Sequence, residues 1–280
     1  MSIRLSVAVA GENAEPSAFV VWRGFADSFR KAGELGYHGV ELALKTAQDI
    51  SRTELESLLE KNKLEVSCIS TGQVFAALGL YFTHPDADAR QKLQQLFYEL
   101  IDLAADHSQL LNIGRSRGFI APGSTAEQTK QLFAETLAPV REHAIKRDVK
   151  LIIEPVNRYE INFINSVDEG SELISSLGLT GVGLMPDVFH MNIEDDKIGG
   201  SLIRNSENVS YIHMADSNRL APGWGHLDFD DVFDSLVKMA YDGWLSVEIL
   251  PKPDPDSAAR QAASFLLPRI EKVNKLLELY

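Results

Sequence analysis

Residues 151–155 read LIIEP, residues 182–187 VGLMPD, residues 211–216 YIHMAD and residues 245–250 LSVEIL. Each is a short apolar run that reaches a metal-ligand type of side chain, in turn Glu154, Asp187, His213 and Glu248, before loop or helix signals resume. That is the order expected where parallel strands deliver side chains to one rim of a barrel, the rim at which such folds carry out chemistry.

Four more strand-like runs lie upstream, near residues 3–10, 39–44, 65–71 and 109–114. With those near 149–155, 182–187, 209–215 and 244–250 they make eight. Between them, apolar residues at three- and four-residue spacings predict helices over 18–36, 53–63, 87–107, 126–147, 166–178 and 229–243. Ser51 and Ser124 are N-cap candidates, and Gly36, Gly178 and Gly243 stand where helices should end. Eight alternating β and α units predict an α/β fold, a (β/α)8 TIM barrel. The competing doubly wound open sheet lacks support, because no glycine-rich dinucleotide fingerprint is present. No linker, low-complexity tract or repeat interrupts the chain, so residues 1–280 are expected to form one barrel domain.

Forty Asp and Glu against 27 Lys and Arg give a formal net charge of −13, which argues against nucleic acid as a partner. The apolar stretch in MSIRLSVAVAGENAE (1–15) is too short and too soon charged for a signal peptide or membrane span, so no membrane partner is expected. The single cysteine, Cys68 in EVSCIS (65–70), reads as a core residue and fits a reducing, cytoplasmic location.

A lone carboxylate at a strand end often caps a neighbouring helix or pairs with an arginine. Three converging on a barrel axis repel by about 4 kcal/mol per pair at 4 Å and an effective dielectric of about 20. A divalent cation offsets that repulsion. With a histidine as fourth ligand, the oxygen-rich set suits Mn²⁺, Mg²⁺ or Co²⁺, and Zn²⁺ is compatible with it.

Beyond single residues, EPVNRYE (154–160), MPDVFHMNIEDD (185–196), HMADSNRLAPGWGHLDF (213–229) and SVEIL (246–250) closely resemble the sugar isomerase/epimerase branch of the xylose isomerase-like barrels. The resemblance is strongest to ketose 3-epimerases of the D-tagatose and D-psicose type. ISTGQVFAALGLYFTHP (69–85) resembles the segment after the third strand in enzymes acting on keto sugar acids, such as 5-keto-L-gluconate epimerase. The resemblance implies that Glu154, Asp187, His213 and Glu248 hold the metal, Mn²⁺ first among candidates. It further implies that Glu154 and Glu248 double as an acid/base pair, and that Glu160, His190 and Arg219 surround a small carbohydrate substrate.

The chemistry accounts for two bases. A proton on carbon beside a carbonyl leaves only when the developing enediolate is neutralised. One glutamate on each face then removes a proton and returns one to the far side. Delivery to the neighbouring carbon instead gives aldose–ketose isomerisation, and a hydroxypyruvate-type isomerase or keto-acid dehydratase shares the same first step. A nuclease on this barrel would need more histidines from the early strands, yet SCISTG and LNIGR contain none. A catalytically silent sugar-binding barrel would not need both glutamates.

Other features carry expectations of their own. The loop NIGRSRG (112–118) offers two arginines that could hold a substrate carboxylate or phosphate. Gly223 and Gly225 allow a turn placing Trp224 over the rim. Phe75, Phe82 and Phe189 read as buried barrel or interface residues before an apolar wall to the site. Pro186, lacking an N–H, should weaken pairing at its strand end. The outer helices and aromatic loops predict a homodimer or homotetramer.

Overall fold

The computed structural model describes residues 2–15 and 19–279. Ala18, where the first predicted helix begins, lies outside them. In chain order the elements are β1 (Arg4–Ala10), β2 (Trp22–Arg23), α1 (Phe25–Glu34), β3 (Gly39–Ala43), α2 (Arg52–Asn62), β4 (Glu65–Ser70), α3 (Gly72–Leu78) and α4 (Ala87–Asp106). They continue with β5 (Leu110–Asn112), a 3-10 turn (Gly114–Arg117), α5 (Ala126–Lys146), β6 (Lys150–Ile153), α6 (Val167–Ser176), β7 (Val182–Leu184), α7 (Val188–Glu194) and α8 (Ile198–Arg204). The last are β8 (Tyr211–His213), α9 (Phe229–Lys238), β9 (Trp244–Val247) and α10 (Pro255–Leu277).

All strand pairings are parallel, in the order β7-β6-β5-β4-β3-β1-β9-β8, with β2 a two-residue addition to β1. The circle closes between β7 and β8, where Leu184 donates to Asn208 O (2.7 Å) and accepts from Ser210 N (2.9 Å). The predicted eight-stranded barrel is therefore present. Its strands are buried almost throughout, as expected where helices cover the outside and side chains fill the inside. Along β3, Val40 and Leu42 join the large core under the helices, while Glu41 points inward. Cys68 lies in an inner cluster with Ile152, Met185, Tyr211 and Trp244.

Local chemistry explains most boundaries and corrects several expectations. Ser51 caps α2 by accepting from Glu54 N. For α5 the cap is Thr125 rather than Ser124, in a reciprocal box with Gln128. Gly36 and Gly178 follow α1 and α6 with positive φ, as predicted. Gly243 does not play that part: α9 stops at Lys238, and Ala240 takes the left-handed conformation. The pattern read as a helix from residue 18 becomes strand β2 before α1 begins at Phe25, because Val21 N and Gly24 N bond to the β1 carbonyls of Ala8 and Ala10. Pro186 ends β7 at Leu184, but its carbonyl accepts from His213 N (2.8 Å), so the rim stays tied together. No helix among the described residues is long and apolar enough to cross a membrane.

Candidate metal centre and substrate cleft

Strands β6, β7, β8 and β9 are consecutive around the barrel, and each delivers one ligand type at its C-terminal end. Glu154 and Glu248 follow β6 and β9 by one residue, Asp187 follows the proline that ends β7, and His213 is the last residue of β8. One donor atom from each comes within 4.8 Å of the other three. His213 Nδ1 stands 3.3 Å from Glu154 Oε1 and 3.7 Å from Glu248 Oε2.

These side chains fit a divalent cation. Asp187 Oδ2 is buried and finds no hydrogen-bond donor among the described residues, whereas its Oδ1 accepts from Phe189 N (2.9 Å) and caps α7. The capping role and the site role thus share one residue. Burial raises Asp187 to about 6 and Glu248 to about 8, so both carboxylates are disfavoured in the metal-free site and a bound cation would stabilise them. Burial also opposes ionisation of Glu154, but the hydrogen bond and charge of His213 outweigh it and lower that group to about 2. The two glutamates are pushed to opposite sides of neutrality, as in acid/base pairs.

His190, Arg219 and Glu160 line a cleft together with Glu154 and Glu248. Asn157 donates from Nδ2 to His190 Nδ1 (2.7 Å), which leaves the His190 Nε2 hydrogen directed at the site, 3.8 Å from Asp187 Oδ2 and 4.0 Å from Glu154 Oε1. Burial lowers His190 to about 3, so the ring is a neutral donor. Arg219 donates to Glu160 Oε1 (2.9 Å) and Glu248 Oε2 (3.2 Å), with Phe19 packed 3.5 Å from its guanidinium and Phe189 at 5.0 Å. Its φ of 60° is a left-handed conformation uncommon for a side-chain-bearing residue, consistent with a held position.

The opposite wall comes from the first half of the barrel and includes Ser70, Gln73, Asn112 and Arg115. The two arginines of the 112–118 loop divide their work. Arg117 is fully buried and donates to the carbonyls of Gly114, Phe163 and Ile164. Arg115 faces the cleft over Phe75 (5.1 Å), and its buried Nε has no acceptor among the described residues. Phe82 is core, packed on Phe97 and Phe133. Trp224 is 37% exposed and does not line the cleft.

Two site residues escaped the sequence reading. Asn157 lies within EPVNRYE, where its signal was available. Glu41, in β3, accepts from His213 Nε2 (2.9 Å) and from Tyr211 OH (3.1 Å).

Residues 29–269 match the family model described as xylose isomerase-like TIM barrel. The chain belongs to that family. Among its xylose isomerase-like relatives, a probable ketose 3-epimerase from Synechocystis sp. is 27% identical over 239 residues, covering 82% of this chain and 80% of the relative. A 3-dehydro-D-guloside 4-epimerase from Escherichia coli is 23% identical over 245 residues, 86% of this chain and 93% of the relative. The structure of an L-ribulose 3-epimerase superposes with a TM-score of 0.81 at 23% identity, covering 100% of this chain and 98% of that one, a likeness of fold.

Proposed function

We propose that this protein is a divalent-metal-dependent epimerase or isomerase acting on a keto sugar or keto sugar acid, with residues 1–280 as its one barrel domain. The carrying observation is the convergence of Glu154, Asp187, His213 and Glu248 at the rim, with Glu154 and Glu248 as its two outer members and β7 and β8 between them. The epimerase names borne by relatives across most of their length support the same reading.

In this reading the four side chains hold the ion, with Mn²⁺ favoured by three oxygen donors and one nitrogen. When bound, the ion supplies Lewis-acid neutralisation of charge developing on the substrate oxygens. The remaining work belongs to the chain. One glutamate takes the proton beside the carbonyl, and the other returns a proton on the opposite face. His190 donates from Nε2 to a substrate oxygen, Arg219 spans Glu160 and Glu248 beside it, and Glu160 accepts from a hydroxyl. Arg115 on the facing wall favours a substrate with a carboxylate, which supports the keto sugar acid form. A cytoplasmic homodimer or homotetramer completes the proposal, as the single core cysteine and the outer helices of the sequence lead one to expect.

Incubating the protein with ketoses and keto sugar acids, with Mn²⁺ or with chelator, and resolving the products by chromatography tests this. Metal-dependent appearance of an epimer or aldose from one compound is expected. Conversion unaffected by chelator would remove the metal from the account.

A further inference from the structure

Beneath the four rim residues the barrel interior holds a second, fully buried polar group. Glu41 is 0% exposed in β3, and its Oε2 collects two hydrogen bonds, from His213 Nε2 (2.9 Å) and Tyr211 OH (3.1 Å). The tyrosine hydroxyl is itself held by Ser67 Oγ (2.7 Å) and Ser6 Oγ (3.0 Å), so residues of β1, β3, β4 and β8 fix one carboxylate oxygen. A histidine ring has two nitrogens, and a proton committed on one leaves the lone pair on the other. Glu41 holds the proton on Nε2 across 2.9 Å, and Nδ1 is the atom that faces Glu154 and Glu248, where a bound cation would replace the second ring proton.

We infer that Glu41 is a positioning residue for the metal centre: it fixes His213 as the Nε2–H tautomer, aims Nδ1 at the ion and strengthens it as a donor. This rests on reading Glu154, Asp187, His213 and Glu248 as a divalent-metal site. Carboxylate partners of this kind change metal affinity about 10–100-fold when removed. Glu41 meets the imidazole from beneath while Glu154 and Glu248 meet it at the rim, so in the metal-free fold Glu41 is also a buried partner of a charged His213 ring. A group kept only for the stability of the fold would lower the melting temperature on removal and leave metal affinity alone.

The test measures Mn²⁺ binding by calorimetry and thermal melting in chelator for the wild-type protein and Glu41→Gln. The expected result is Mn²⁺ affinity lowered about 10–100-fold in the folded variant, beside a lower melting temperature in chelator from the weakened buried pair. Wild-type affinity in Glu41→Gln would overturn the inference and leave the metal site standing. Absence of Mn²⁺ binding by the wild-type protein would remove the site itself. If Glu41→Gln does not fold, ¹⁵N–¹H correlation of histidine-labelled wild-type protein loaded with Zn²⁺ decides the matter. The proton of His213 is expected on Nε2, and a proton on Nδ1 would overturn the assignment.

Discussion

The side-chain amide of Asn157 donates to Nδ1 of His190 across 2.7 Å, and this contact determines what His190 offers to a substrate. An amide nitrogen can only donate, so Nδ1 accepts and the ring hydrogen sits on Nε2, on the side of Glu154 and Asp187. Asn157→Ala removes that control and orphans a buried ring nitrogen at a cost of about 1–3 kcal/mol. The expected outcome is a fall in kcat/KM of roughly 5- to 150-fold with Mn²⁺ affinity unchanged, read by steady-state kinetics and calorimetry. Unchanged kcat/KM would contradict the donor role of His190.

The two arginines of the 112–118 loop should fail in different ways. Arg117→Met leaves buried carbonyls of Gly114, Phe163 and Ile164 without their donor, so a loss of about 3 kcal/mol or more in chemical denaturation is expected, at roughly 1–3 kcal/mol for each. Arg115→Gln should keep stability within about 0.5 kcal/mol. It should raise KM for a keto sugar acid about tenfold or more, as loss of a charge-assisted bond does, while changing KM for a neutral ketose far less. Equal effects on both substrates would remove Arg115 from anion recognition.

Metal-free stability should fall as pH rises from 6.5 to 8. Burial raises the folded Glu248 to about 8, so the folded state holds a proton that the unfolded chain has already released, and stability declines up to that value. His213 acts with the same sign: despite burial, the charges of Glu41 and Glu248 raise it well above 6.5, and its contribution fades above the unfolded value. His190, lowered by burial, opposes them only below 6.5, which makes the window clean. Glu154, lowered to about 2, contributes evenly throughout it. Melting in chelator should therefore show a downward slope over this range, and Mn²⁺ should abolish or reverse it, because binding requires the deprotonated ligands.

The four rim residues were legible because each ends a buried apolar run at nearly the same offset, a pattern independent of any distant contact. Glu41 was not. Its segment, GVELA, reads as an ordinary buried strand, and what gives its charge a purpose lies 170 residues away at Tyr211 and 172 away at His213. The helices α3, α7 and α8, each of seven residues, are too short for periodicity to identify. Helix α1 was overextended because VVWR satisfies helical spacing as well as it satisfies a short strand, and only pairing with β1 decides between them. The division between Arg115 and Arg117 depends on which one meets the carbonyls of Phe163 and Ile164, information that two arginines two residues apart in one loop do not carry.

Solvent deuterium incorporation, followed by NMR with Mn²⁺-loaded protein and a panel of ketoses and keto sugar acids, is the most direct measurement of the two-base enediolate chemistry. Deuterium should appear on carbon beside the carbonyl of one compound with wild-type protein, its rate should fall by about 10²-fold or more in whichever of Glu154→Gln and Glu248→Gln lacks the glutamate facing that proton, and conversion to the epimer should fall as far in both. Exchange at the wild-type rate in both variants, or none from any compound with metal bound, would contradict the account.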